Sequence, residues 1–154
     1  MMDTWAAALG LPNQDRLRWR ATAILHDALR DSDPTELVDW SDLDWPPKLQ
    51  HGPACAARLR AAGVDDAELL DAITFHTVGN PNRAEMSDFL YMADFLEPGR
   101  RFLVEERAAL RARLPDERDA VLREVAAIRI GQRLEHGERL LPQSTEFWNR
   151  VIER

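Results

Sequence analysis

A chain of 154 residues with 45% hydrophobic and 31% charged residues is long enough to bury one substantial core and too apolar for a disordered segment. Its formal net charge of −7 disfavours nonspecific binding to nucleic acid or anionic membranes, and Cys55, the lone cysteine, excludes an internal disulfide framework and points to a reducing cytoplasm. No apolar run reaches the length of a membrane span, and the N-terminus lacks the basic-then-apolar plan of a signal peptide.

The hydrophobic spacing is helical almost throughout, which predicts an all-α chain of about seven to eight helices. Trp5 to Leu9 reads as the end of a first helix, stopped by Gly10. A second is expected from Asn13 to Leu29, with Leu17, Ala21, Ile24, Leu25 and Ala28 as its apolar face. Asp33-Pro34-Thr35-Glu36 is a start signal for a short helix, and Asp39 to Pro47 should be irregular. Gly52 to Ala62 forms the next helix, with Gly63 as its stop. Asp65 or Asp66 caps the one after, which carries Leu69, Leu70 and Ile73 up to Phe75-His76. Val78 to Asn82 must be a loop. Met86, Phe89, Leu90, Ala93 and Leu96 share one helical face that ends at Pro98-Gly99. Helices over Phe102 to Leu114, Asp116 to His136 and Thr145 to Ile152 complete the chain.

Chemistry concentrates in a few places. His26 is followed directly by Asp27 within Ile24-Leu25-His26-Asp27-Ala28-Leu29, and Asp94 is the only charged residue of the stretch Phe89 to Leu96. Carboxylates among so many apolar neighbours are costly to desolvate unless a cation or strong hydrogen bonds compensate. Each histidine alone reads as a core residue, and each aspartate could pair with an arginine. Taken together, one metal site explains them more simply than several separate coincidences, and mixed imidazole and carboxylate ligands suit first-row divalent ions.

Leu25-His26-Asp27, His51-Gly52-Pro53, His76-Thr77-Val78-Gly79 and Ala93-Asp94-Phe95-Leu96-Glu97-Pro98 together resemble the HD superfamily of metal-dependent phosphohydrolases. Within it they are similar to the YqeK-type symmetrical bis(5′-nucleosyl)-tetraphosphatases, which split diadenosine tetraphosphate into two ADP. The resemblance implies two divalent transition-metal ions, iron foremost, with manganese, cobalt or zinc as alternatives. Asp27 would bridge them, His26 and Asp94 would bind one, and His51 and His76 the other. A metal-bound hydroxide would attack the phosphoanhydride. Arg30 and Arg100, the second matching the family's Glu-Pro-x-Arg arginine, would join Asp27 at the reacting phosphates and hold polyphosphate oxygens, while Thr77 and Gly79 would shape the pocket or offer donors.

One element of the family pattern is missing. A further histidine comes from a first helix upstream, but none precedes His26 here, and its expected place falls a few residues before Met1. The chain is therefore expected to be a single HD domain over 1–154 that lacks the N-terminal part of its first helix. Either its start lies upstream, or the His26/Asp94 ion has an open position. Another HD nucleotide phosphohydrolase, or a catalytically impaired nucleotide-binding HD module, are the alternative functions, and exposed helix faces leave a homodimer open.

Elsewhere the sequence reads as structure. His136 should cap a helix end, Cys55 should be a small buried hydrophobe, and Arg107, Arg111, Arg113, Arg118 and Arg123 should form a solvated face. Trp40 and Trp45 flank an acidic loop before His51, where either ring could stack on an adenine.

Overall fold

The computed structural model describes residues 1–153, and among these it contains nine α-helices and no strand. They are α1 (Met2–Ala8), α2 (Asn13–Leu25), α3 (Pro34–Leu37), α4 (His51–Ala61), α5 (Ala67–Phe75), α6 (Glu85–Leu96), α7 (Val104–Ala112), α8 (Arg118–Glu135) and α9 (Pro142–Ile152). Nine is one more than the upper expectation, although each has a counterpart among the segments read from the sequence, the single turn α3 included. Short 3₁₀ turns, Val38–Trp40 and Pro47–Leu49, overlap the two ends of the stretch read as irregular. No helix of the described residues is long and apolar enough to cross a membrane.

Local chemistry sets the helix ends as the sequence indicates. Gly10 and Gly63 follow α1 and α4 with φ of +73° and +94°, a conformation that a side chain disfavours. Asp33 accepts from the Thr35 amide at 2.9 Å, with Pro34 in the first turn. Asp66 caps α5 through the Leu69 amide at 3.1 Å and also holds Arg18 of α2 through two bonds of 2.7 and 2.9 Å. Arg18 is the main reason why the Asp66 carboxyl lies below the usual range. Asp66→Ala is therefore expected to lower stability by about 1–2 kcal/mol in urea unfolding at pH 7. A carboxyl whose pKa is depressed on folding stabilises the fold above its unfolded pKa, and loses that effect as pH falls through the folded value. The gap between mutant and wild type should accordingly shrink below about pH 4.

Helix α6 is the centre of the molecule. Met86, Phe89, Leu90, Ala93 and Leu96 are all buried, as the spacing predicts, but so are Tyr91, Met92 and Phe95 on the other side. Helices α1, α2, α5, α7 and α8 pack around it. Trp5 of α1 and Trp19 of α2 both tilt onto Phe89, with ring centroids at 5.7 and 5.0 Å. A smaller apolar cluster, Trp45, Leu49, Val78 and Leu141 with Phe75 against it, forms separately from this core.

Two expectations are corrected. Helix α2 ends at Leu25 rather than Leu29, because the chain tightens into turns bonded three residues back (Ala28 to Leu25, Arg30 to Asp27, Ser32 to Leu29). Its buried face also differs: Trp19 and Thr22 are inside, while Leu17 and Ile24 are 57% and 69% exposed. Trp19 fixes that rotation by reaching Phe89. The supposed solvated arginine face is also broken. Arg107 is 1% exposed, its guanidinium lies 4.3 and 3.7 Å from the rings of Phe95 and Phe102, and none of its nitrogens has a hydrogen-bond partner. Two ring faces substitute for polar partners there. Arg111 donates to the Leu96 carbonyl, whereas Arg113 and Arg118 do pair with exposed acids.

Candidate metal centre

The ends of three helices meet beside α6. His26 is the C-cap of α2 with Asp27 next to it, His51 opens α4, and His76 is the C-cap of α5. Each ring makes the same local bond. Nδ1 of His26, His51 and His76 reaches back three residues to the carbonyl of Ala23, Lys48 and Ile73, at 2.9, 3.3 and 2.7 Å. A carbonyl only accepts, so Nδ1 carries the proton on every ring and Nε2 is left to face inward.

What Nε2 faces is Asp27. His51 and His76 lie 3.4 and 3.5 Å from its Oδ1, and His26 lies 3.6 Å from Oδ2. The Nε2 atoms of His51 and His76 are 3.1 Å apart. Helices α4 and α5 come this close because Gly52 follows His51. A Cβ there would sit 2.7 Å from the Ile73 carbonyl and 3.1 Å from His76 Cε1. Among the described residues, ligand atoms of His26, Asp27 and His76 lie within 4.8 Å of one another.

The charges sharpen the picture. Burial pushes the Asp27 carboxyl up, but His51, His76, His26 and Arg30 outweigh it and hold the group far below the usual carboxylate range. His76 is 1% exposed, and burial draws its pKa down despite Asp27, so the ring is neutral. A neutral ring with its proton on Nδ1 presents a lone pair at Nε2. Three Nε2 atoms lie 3.4–3.6 Å from the Asp27 carboxylate, the arrangement of electron-pair donors around a shared cation. Converging imidazole nitrogens, each braced at Nδ1, with a carboxylate, are the donor set of a first-row divalent ion. These residues fit a metal.

Asp94 lies on the same groove but turns both oxygens elsewhere. Arg100 donates to Oδ1, and Arg129 of α8 lies 3.1 Å from Oδ2. Burial would raise the Asp94 carboxyl; Arg129 first, then His76 and Arg100, reverse this and hold it below its ordinary range. Arg30 bonds Asp27 Oδ2 at 2.8 Å and is half exposed. A hollow of about 370 Å³ opens beside Asp27 and Asp94, with Met1, Met2 and His26 in its wall. Another of about 440 Å³ shares Asp27, Arg30, Asp94 and Arg100 with it and adds Lys48, Thr77, Arg129 and Arg133. The Thr77 hydroxyl is buried there without a hydrogen-bond partner. Gly79 is elsewhere: its φ is +87°, its amide donates to the Phe75 carbonyl at 2.8 Å, and the Phe147 ring lies against its Cα.

Lys48, Arg129 and Arg133 were not assigned from the sequence. A signal for two of them existed, since Arg129 and Arg133 continue the buried stripe of Leu122, Val125 and Ala126 along α8, where a solvated charge has no place. Neither tryptophan lines the groove. Trp45 is buried against Phe75, and Trp40, 40% exposed, has the Arg58 guanidinium 5.1 Å from its ring. His136 closes α8 with Nδ1 on the Gln132 carbonyl, and the buried Cys55 thiol donates to the Leu25 carbonyl.

No family model matches the chain. It is similar to three curated proteins that share the name bis(5′-nucleosyl)-tetraphosphatase, symmetrical. Identity is 30% over 122 residues with that of Halalkalibacterium halodurans, covering 73% of this chain and 65% of the relative. It is 44% over 61 residues with that of Bacillus subtilis, covering 39% and 33%. It is 37% over 59 residues with that of Staphylococcus aureus, covering 38% and 30%. The chain thus spans just under two thirds of the first relative's length and about a third of the other two. Its fold is that of a Clostridium acetobutylicum protein described as a predicted HD superfamily hydrolase involved in NAD metabolism, with a TM-score of 0.85, 23% identity, and coverage of 99% of this chain and 84% of that one.

Proposed function

We propose that this chain, an HD-fold relative of the symmetrical bis(5′-nucleosyl)-tetraphosphatases, is a metal-dependent hydrolase. Its substrate is a dinucleoside polyphosphate, diadenosine tetraphosphate foremost, which it splits into two nucleoside diphosphates. The observation that carries this reading is the convergence of three Nδ1-braced histidines on Asp27. Asp27 would bridge two divalent ions, with His26 and Asp94 at one and His51 and His76 at the other, and iron as the first candidate. When bound, such ions supply Lewis acidity and bring the pKa of water near neutrality.

The chain's own groups do the rest. Arg30 and Arg100 line both hollows beside Asp27 and Asp94, and the second hollow adds Lys48 and Arg133. A polyphosphate cleaved at its middle needs cationic donors on both sides of the broken bond, and this groove supplies them although the whole chain is acidic. Thr77 Oγ1 has a proton left to give to a phosphoryl oxygen. A cytoplasmic setting fits the lone cysteine.

The test is elemental analysis of the purified chain together with nucleotide products from diadenosine tetraphosphate. The expected result is about two ions per chain and ADP as the main product, with activity lost to chelator and restored by manganese, cobalt or ferrous iron. Retention of the dinucleotide without turnover after metal loading would make the protein a binding module and sink the hydrolase reading.

A further inference from the structure

We propose that Arg129 is the positioning residue of the metal centre, holding Asp94 of α6 and the turn after His76 in one register from α8. This rests on the metal-dependent reading of the preceding subsection. Nη1 of Arg129 lies 3.0 Å from the Tyr91 carbonyl and 3.1 Å from Asp94 Oδ2, and Nη2 donates to the Thr77 carbonyl at 3.1 Å. Its guanidinium lies 4.3 Å from the centroid of the Tyr91 ring. Tyr91 and Asp94 are one turn apart on α6, so a single planar group grips that helix at backbone and carboxylate together. Thr77 directly follows His76. The fork therefore sets the distance between the acidic ligand on α6 and the imidazole at the end of α5.

Two facts separate Arg129 from Arg100, the other arginine on Asp94. Arg100 comes from the segment after Pro98-Gly99, faces both hollows with a 26% exposed side chain, and is placed to meet a phosphate. Arg129 is 13% exposed, rooted in the longest helix of the described residues, and its two terminal nitrogens already serve protein acceptors. It has little left to offer a substrate. A lysine cannot replace it, because one ammonium cannot span acceptors on two separate segments as a rigid fork does.

The experiment is calorimetric titration of the full chain with Mn²⁺ for wild type, Arg129→Met, Arg129→Lys and, as a control, Arg111→Met, which gives up a backbone bond on the same helix α6, to the Leu96 carbonyl, and none to a proposed ligand. Melts in chelator report folding separately. Arg129→Met is expected to weaken Mn²⁺ binding about 10–100-fold, as loss of a partner to a ligand does, while Arg129→Lys recovers only part of it. Arg111→Met should bind like wild type. In turnover, kcat should fall with KM for the dinucleotide changed by less than about twofold. Should Arg129→Met fail to fold, Arg129→Lys decides alone. The proposal is overturned if the folded variant binds Mn²⁺ within about threefold of wild type and merely melts lower. A wild type that takes up no metal overturns the metal reading itself, and this inference with it. Metal uptake that depends on Arg129 in a protein that does not cleave dinucleotides would uphold the inference and reject the substrate.

Discussion

Asp27→Asn is expected to lower kcat for the proposed dinucleotide hydrolysis by at least about 10³-fold and to abolish metal uptake, an effect beyond the ~10–100-fold of changes one step removed from the ions. The substitution keeps the shape of the side chain and removes its charge. It also places an amide where the carboxylate stood, and that amide can donate hydrogen bonds to the Nε2 atoms of His51 and His76, now 3.4 and 3.5 Å from Oδ1. His51, His76, His26 and Arg30 favour the wild-type carboxylate, and the amide bonds return only part of that stabilisation. Asp27→Asn should consequently melt somewhat lower than wild type in chelator at neutral pH. Elemental analysis, product analysis and thermal melts check the three parts. Turnover within tenfold of wild type would show that Asp27 does not organise the centre.

The largest loss of stability is expected from Gly79→Ala. The φ of +87° disfavours any side chain, and the added Cβ would sit 2.2 Å from Cδ1 of Phe147, deep in the contact between the turn after α5 and helix α9. Left-handed strain and overpacking together amount to about 2–5 kcal/mol, measurable by urea unfolding. Phe147 is 1% exposed and has no room to withdraw. A second change, Phe147→Leu, should offset part of the loss in Gly79→Ala while leaving the backbone strain, so the two effects will not add. A loss under about 1 kcal/mol for Gly79→Ala would mean that the turn adapts freely. His76 lies three residues before Gly79, and the same turn supplies the Thr77 carbonyl to Arg129, so the variant should also bind metal more weakly.

Helix ends were readable from single residues because capping is local. Asp33, Asp66, Gly10 and Gly63 act on the turn they adjoin and need no knowledge of the fold. The orientation of α2 was not readable. Its spacing identifies a stripe containing Leu17 and Ile24, yet the rotation is decided by a tryptophan reaching a phenylalanine seventy residues further on. For α6 the same kind of reading held for one face and understated the other, since a helix at the centre is covered all round. At the site, motifs point to His26, Asp27, His51, His76 and Asp94; the three rings converge on Asp27, and Asp94 lines the same two hollows as Asp27. Arg129 and Arg133 escaped notice because arginines at helical spacing resemble a solvated face; only their alignment with Val125 and Ala126 betrays burial. Arg107 was missed for the complementary reason, that its partners are aromatic rings from α6 and the loop before α7.

The Nδ1 bonds to carbonyls three residues back give the three histidines a property that belongs to the chain before it is a fold. Each ring takes its aim from the few residues preceding it, as a signpost takes its bearing from its own post. Folding then has only to bring three posts together, and nothing about the path between them enters the aim. Lengthening the connection between α3 and α4, or between α4 and α5, would change how soon the posts meet, while every ring kept pointing the same way out of its own helix end.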